Sequence, residues 1–113
     1  MSERTTKIIL YNLPKVSANQ FYAGVHWSKR KKLKDTYKLL IRSQTKRKFI
    51  KPCNVEYQFT FKNKPLDCSN TNGMLKMIED CLFDDDSINI VKAIGIISLK
   101  GAFDKVEITV NEI

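Results

Sequence analysis

Alternation and helical spacing divide the chain into six structured segments. In TTKIILYNLP, Ile8 and Leu10 fall on one face, Ile9 and Tyr11 fall on the other, and Pro14 bounds the run, which predicts a strand. The following KVSANQFYAGVHW has the small and aromatic residues of a loop. From Ser28 onward, SKRKKLKDTYKLLIRSQ spaces Leu33, Tyr37, Leu40 and Ile41 at i, i+4, i+7 and i+8. Ser28 offers a hydroxyl that caps free backbone amides, so a helix is expected over 28–44. Val55, Tyr57, Phe59 and Phe61 then alternate as one face of a half-buried strand, closed by Pro65. Met74, Leu75, Ile78 and Leu82 form the inward stripe of a second helix over about 72–82. INIVKAIGIISLK reads as a long apolar strand that turns at Gly101 into DKVEITVNEI, where Val106, Ile108 and Val110 alternate.

The order β-α-β-α-β-β predicts an α+β fold, with two helices packed on a mixed four-stranded sheet. At 113 residues, residues 1–113 are expected to form one domain, and 42% apolar content is that of an ordered globular chain. No apolar run approaches the roughly 20 residues that span a bilayer. The opening MSERTTK lacks the apolar core of a secretory signal. Cys53, Cys68 and Cys81 include no CxxC pair and leave one thiol over in any disulfide scheme, and there is a single histidine. Free thiols in a reducing cytoplasm are the expected state.

Charge changes this picture. Residues 1–65 hold sixteen Lys/Arg against three acids, whereas residues 66–113 hold four Lys against nine acids, giving the net +8. The first helix concentrates Lys29, Arg30, Lys31, Lys32, Lys34, Lys38 and Arg42 around one acid, Asp35, and TKRKFIK adds to them. So many like charges on one helix repel unless a polyanion lies along it. Phosphate contact by counterion release is the expected function of this face, and with no base-reading motif, recognition of shape and backbone is expected.

The acids are equally concentrated: PLDCSNTNGMLKMIEDCLFDDDS carries Asp67, Glu79, Asp80, Asp84, Asp85 and Asp86. Asp80 follows Lys76 by four residues and can pair with it on the helix. Asp67 comes just after one predicted strand and Asp84–Asp86 just before the next. If those strands are neighbours, Asp67 and Asp86 meet at one edge of the sheet, where a hard cation such as Mg²⁺ would offset their repulsion. An acidic turn that only solvates the helix has the same spacing.

Asp67-Cys68-Ser69-Asn70, Lys76 within KMIED and the pair Asp85-Asp86 resemble the RusA family of phage and bacterial Holliday junction endonucleases. That family has an Asp-x-Asp-Asn segment after a strand, a lysine on the next helix and an Asp-Asp pair opening the following strand. LPKVSANQFYAGVHWSKRKK is similar to the family's proline and asparagine loop leading into a basic helix, so the resemblance runs in order along most of the chain. Anchored at Asp67 and Asn70, it places Ser69 where the family has a second aspartate, which leaves the number of metals per site open. The resemblance implies a homodimer that binds branched DNA (four-way junctions) and hydrolyses phosphodiesters in paired symmetrical nicks in the cytoplasm of a bacterial host. The implied cofactor is Mg²⁺, with Mn²⁺ as a substitute, held by Asp67, Asp85, Asp86 and Asn70. Asp67, Asp86 and Lys76 would be catalytic, with Lys76 stabilising the developing negative charge. Two other readings use the same basic face: a branched-DNA binder with impaired catalysis, and a small phage regulator that binds an acidic host protein.

Overall fold

A computed structural model describes residues 5–18, 27–83 and 90–113. The strands are β1 (Thr5–Tyr11), β2 (Cys53–Phe61), β3 (Val91–Lys100) and β4 (Lys105–Glu112), and the helices are α1 (Trp27–Gln44) and α2 (Asn72–Leu82). A 3₁₀ turn, Cys68–Thr71, leads directly into α2. Two helices therefore pack on a mixed four-stranded sheet, in the order and class that the hydrophobic pattern predicts. The second helix falls on its expected bounds. The first begins at Trp27, one residue before Ser28, so Ser28 lies inside it rather than capping it. Among the described residues, no helix is long and apolar enough to cross a membrane.

The sheet order is β1-β4-β2-β3, with β4 antiparallel to both neighbours and β3 parallel to β2. A parallel pair needs a crossover, and α2 supplies it. The chain does not fold β3 and β4 into a hairpin, because β2 lies between them. The turn at Gly101 instead passes over the end of β2, with Gly101 N–H donating to the Phe61 carbonyl at 2.9 Å. A Cβ at Gly101 would lie 2.4 Å from the Thr60 methyl, so any larger residue at this crossing would force the Thr60 side chain to shift. Asp104 completes the bridge: its carboxylate accepts from Lys62 N–H at 2.8 Å, and its carbonyl accepts from Asn12 N–H at 3.1 Å. Asn12 takes a left-handed φ of 61°, which this residue type tolerates, and so ends β1.

One sheet face carries the core. Leu10, Val106 and Phe59 lie in one cross-strand row, and Ile8, Ile108 and Tyr57 lie in the next, all buried under the helices. Tyr37 anchors α1: its ring is fully buried and its hydroxyl donates to the Pro14 carbonyl. Desolvation raises the Tyr37 pKa, so it stays a neutral donor. The other sheet face has neither α1 nor α2 over it and mixes Ile9, Tyr11, Ile97 and Leu99 with Lys7 and Glu107. β3 is an edge strand despite its apolar sequence, and Ile94, Ile97 and Leu99 are all more than a third exposed.

Candidate nucleic-acid interface and carboxylate site

The helical period decides which cations of α1 reach solvent. Tyr37 and Ile41 are fully buried and Leu33 and Leu40 are half-buried, so the core stripe is the one the spacing predicts. Lys29, Lys31, Lys32, Lys34 and Lys38 are accordingly exposed. Lys31 pairs with Asp35 at 3.0 Å, one helical turn on, and both ends are well exposed, so the pair adds little stability. Lys29, Lys31 and Lys32, with Ser28 and Asp35, border an open hollow of about 470 Å³. Arg30 is half-buried beside them.

Arg42 sits differently from the other cations. Its guanidinium turns inward and donates to the carbonyls of Arg47 (2.8 Å), Thr45 (3.4 Å) and Cys81. The Cys81 carbonyl lies near the end of α2, where carbonyls have no partner within the helix. Arg42 thus ties the ends of the two helices together, and its fork of donors is already occupied by backbone.

The sequence-predicted carboxylate site divides between described and undescribed residues. Asp85 and Asp86 lie outside the described residues, as does Asp84. Asp67 is exposed and immediately precedes the 3₁₀ turn, with its carbonyl accepting from Asn70 N–H at 2.8 Å. This segment lies against β3: Ser98 hydroxyl donates to the Leu66 carbonyl, and Cys68 thiol donates to the Ile96 carbonyl at 3.5 Å. Asp67 and Asn70 therefore share one turn beside the sheet edge that β3 forms. Lys76 is on the exposed side of α2, with its ammonium 3.8 Å from Asp80 and 4.0 Å from Glu79. Among the described residues, no three His, Cys, Asp or Glu side chains are grouped to hold a metal ion. Asp67 and Asn70 alone do not make a Mg²⁺ site, which needs further oxygen ligands.

Glu79 is the residue here that spacing alone does not pick out. It is buried on the flank of α2, and its only ion pair among the described residues is the one with Lys76. Desolvation pushes its carboxyl above the ordinary value of 4.5, against the pull of Lys76 and with a further push from Asp80. The Tyr57 hydroxyl, fully buried, has no hydrogen-bond partner among the described residues, and its pKa is raised by desolvation first and then by Glu79. Because folded Glu79 holds its proton more tightly than the unfolded chain does, its charge costs stability above the folded pKa, and the cost vanishes below 4.5. Glu79→Gln is therefore expected to raise the thermal midpoint at pH 7 by a few degrees, equivalent to on the order of 1 kcal/mol. The gain should close as pH falls to 4.5, and melting curves across that range in which wild type is the more stable at pH 7 would contradict the assignment.

All three cysteines are unpaired, as the spacing predicts. Burial raises the thiol pKa of Cys53, helped by Glu112, and that of Cys81 despite nearby Arg42, so both are protonated and unreactive. Against protein-family models the chain has no match, and a search of curated proteins finds no significantly similar sequence.

Proposed function

We propose that the protein binds the phosphate backbone of branched DNA through the exposed face of α1, and that it is a metal-dependent endonuclease of four-way junctions. The observation that carries the binding half is the position of Lys29, Lys31, Lys32, Lys34 and Lys38, all on the solvent side of a helix whose opposite stripe is core. A preformed helix holds the cations at fixed backbone spacing, so only the lysine side chains, not the backbone, have to be ordered when they displace counterions from the phosphates. The cleavage half is supported by the order Asp67, Lys76, Asp85-Asp86 that resembles the RusA family, and by the placement of Asp67 and Asn70 in one turn beside β3. In this reading Asp67 would hold Mg²⁺ together with Asp85 and Asp86, and the ion would supply an activated water. Lys76 would contribute positive charge to the scissile phosphate, after exchanging its contacts with Glu79 and Asp80. A homodimer would present two basic faces to symmetry-related strands.

A second reading, a branched-DNA binder without catalysis, is favoured by Ser69 at the position of the family's second aspartate and by the two carboxylates already beside Lys76. A gel assay with labelled four-way junction and linear duplex, each with and without Mg²⁺, separates the two. The nuclease reading expects junction-selective binding in both conditions and paired nicks only with Mg²⁺. Binding without nicks at any Mg²⁺ or Mn²⁺ concentration establishes the binder, and equal affinity for duplex and junction removes junction selectivity.

A further inference from the structure

Among the described residues, Phe103 and Tyr11 are the only exposed aromatic side chains, 65% and 46% accessible. Isolated apolar side chains on a surface are ordinary, but these two rings fall at one corner of the sheet. Tyr11 ends β1 opposite Lys105, and the bond from Asn12 N–H to the Asp104 carbonyl brings Phe103 alongside the end of β1. The backbone of Tyr11 is held from its other side by Gln44 of α1, which accepts from its N–H at 2.7 Å and donates to its carbonyl at 2.9 Å.

The same corner is cationic. Lys62 and Lys64 lie in the turn that leaves β2, and Lys100 ends β3 opposite Phe61. All three are exposed, and their ammonium groups have no carboxylate partner among the described residues. Lys15 stiffens this turn by donating to the carbonyls of Asn63 and Lys64, each at 3.0 Å. Two acids lie nearby. The Asp104 carboxylate accepts from Lys62 N–H at 2.8 Å, and Glu107 sits between Lys7 at 3.7 Å and Lys105 at 3.3 Å. The corner is therefore positive, with open cations beside open rings.

We propose that this corner binds an unpaired strand of DNA, with bases stacked on Phe103 and Tyr11 and backbone phosphates on Lys62, Lys64 and Lys100. An aromatic ring takes any base by its flat face, and an unpaired base can be splayed out to present that face. Each base carries a phosphate with it, so one strand covers the rings and neutralises the lysines together. A purely acidic surface would leave the rings in water. The corner spans three gaps between strands, roughly 14 Å, which is room for a few nucleotides. It uses neither α1 nor a metal ion, and only the choice of DNA over RNA rests on the function proposed above.

The test is fluorescence anisotropy of the full chain in EDTA with a short oligothymidylate, its duplex with oligoadenylate, and the matching oligouridylate. Phe103→Ala should weaken single-strand binding at least fivefold, the low end for losing one stacked base. Duplex binding should not change, because paired bases do not offer their faces, and Phe103→Trp should restore the single strand. Lys62→Ala should flatten the slope of log affinity against log salt by about 0.7, the single-strand value for one phosphate. Leu39→Ala, an exposed apolar side chain on α1, should change neither. Unchanged single-strand affinity in Phe103→Ala, or equal loss of single strand and duplex, overturns the proposal. A self-association abolished by that substitution would instead give the corner to a second copy of the chain. Tighter binding of oligouridylate overturns the choice of DNA. Wild type that fails to bind duplex counts against the α1 reading alone and leaves the Phe103 result standing.

Discussion

Replacing Lys29, Lys31 and Lys32 together by alanine is expected to lower junction affinity several hundredfold at 0.1 M salt while leaving the fold intact. Each phosphate contact contributes about 0.9 to the slope of log affinity against log salt. Between 1 M and 0.1 M salt that is roughly a factor of eight per contact, and three contacts multiply to about five hundred. The slope itself should flatten by nearly three, which distinguishes lost phosphate contacts from a general loss of structure. Stability should move little. All three side chains are exposed, and the pair broken among the described residues, Lys31 with Asp35, is a solvent-screened helix-surface contact. Fluorescence anisotropy with labelled junction between 50 and 300 mM salt gives both numbers. An unchanged slope would remove this face of α1 from the interface.

Asp67→Asn is expected to cut the rate of Mg²⁺-dependent nicking by about a thousandfold or more, on the scale of removing a metal's water-activating role. Junction affinity should stay within about twofold, since Asp67 belongs to the turn beside β3 and the lysines belong to α1. Asn keeps the size and the polar oxygen of Asp but removes the charge that attracts a hard cation. Asp86→Asn should behave in the same way if the two carboxylates share one ion. Single-turnover cleavage and binding are measured on the same preparations. Full activity in either variant excludes that carboxylate, and joint loss of binding and cleavage contradicts the separation of roles.

Much of this architecture is legible in the sequence. The alternation through Val55–Phe61 and Val106–Val110 marks strands, because a side chain points to the opposite face at every step, and both stretches bury the residues they were expected to bury. The stripe of Met74, Leu75, Ile78 and Leu82 located α2 for the corresponding helical reason. The apolar run of β3 was the less informative case. Such runs often mark strands covered on both faces, yet this one lies at the sheet edge with Ile94, Ile97 and Leu99 partly exposed. Hydrophobicity records that a strand can be buried, not which neighbours it receives.

The candidate site shows the same division. Counting charges identified α1 as the basic element, but Arg42 looks like any other cation of the run. Its partner carbonyl at Cys81 is 39 residues away, so only the packing of α1 against α2 makes it a strut. Glu79 reads as one more helix-surface acid near Lys76, and its burial depends on the flank of α2 on which it falls.

By itself the sequence determined what depends on near neighbours: strand and helix periods, the two core stripes, the polarity of charge along the chain and the unpaired state of the cysteines. The tertiary structure decided the insertion of β2 between β3 and β4, the inward turn of Arg42, the burial of Glu79 and the gathering of Tyr11, Lys62 and Phe103 at one corner of the sheet. Each of these joins residues distant in the chain, and local preference carries no information about such contacts until the helices and the sheet are packed together.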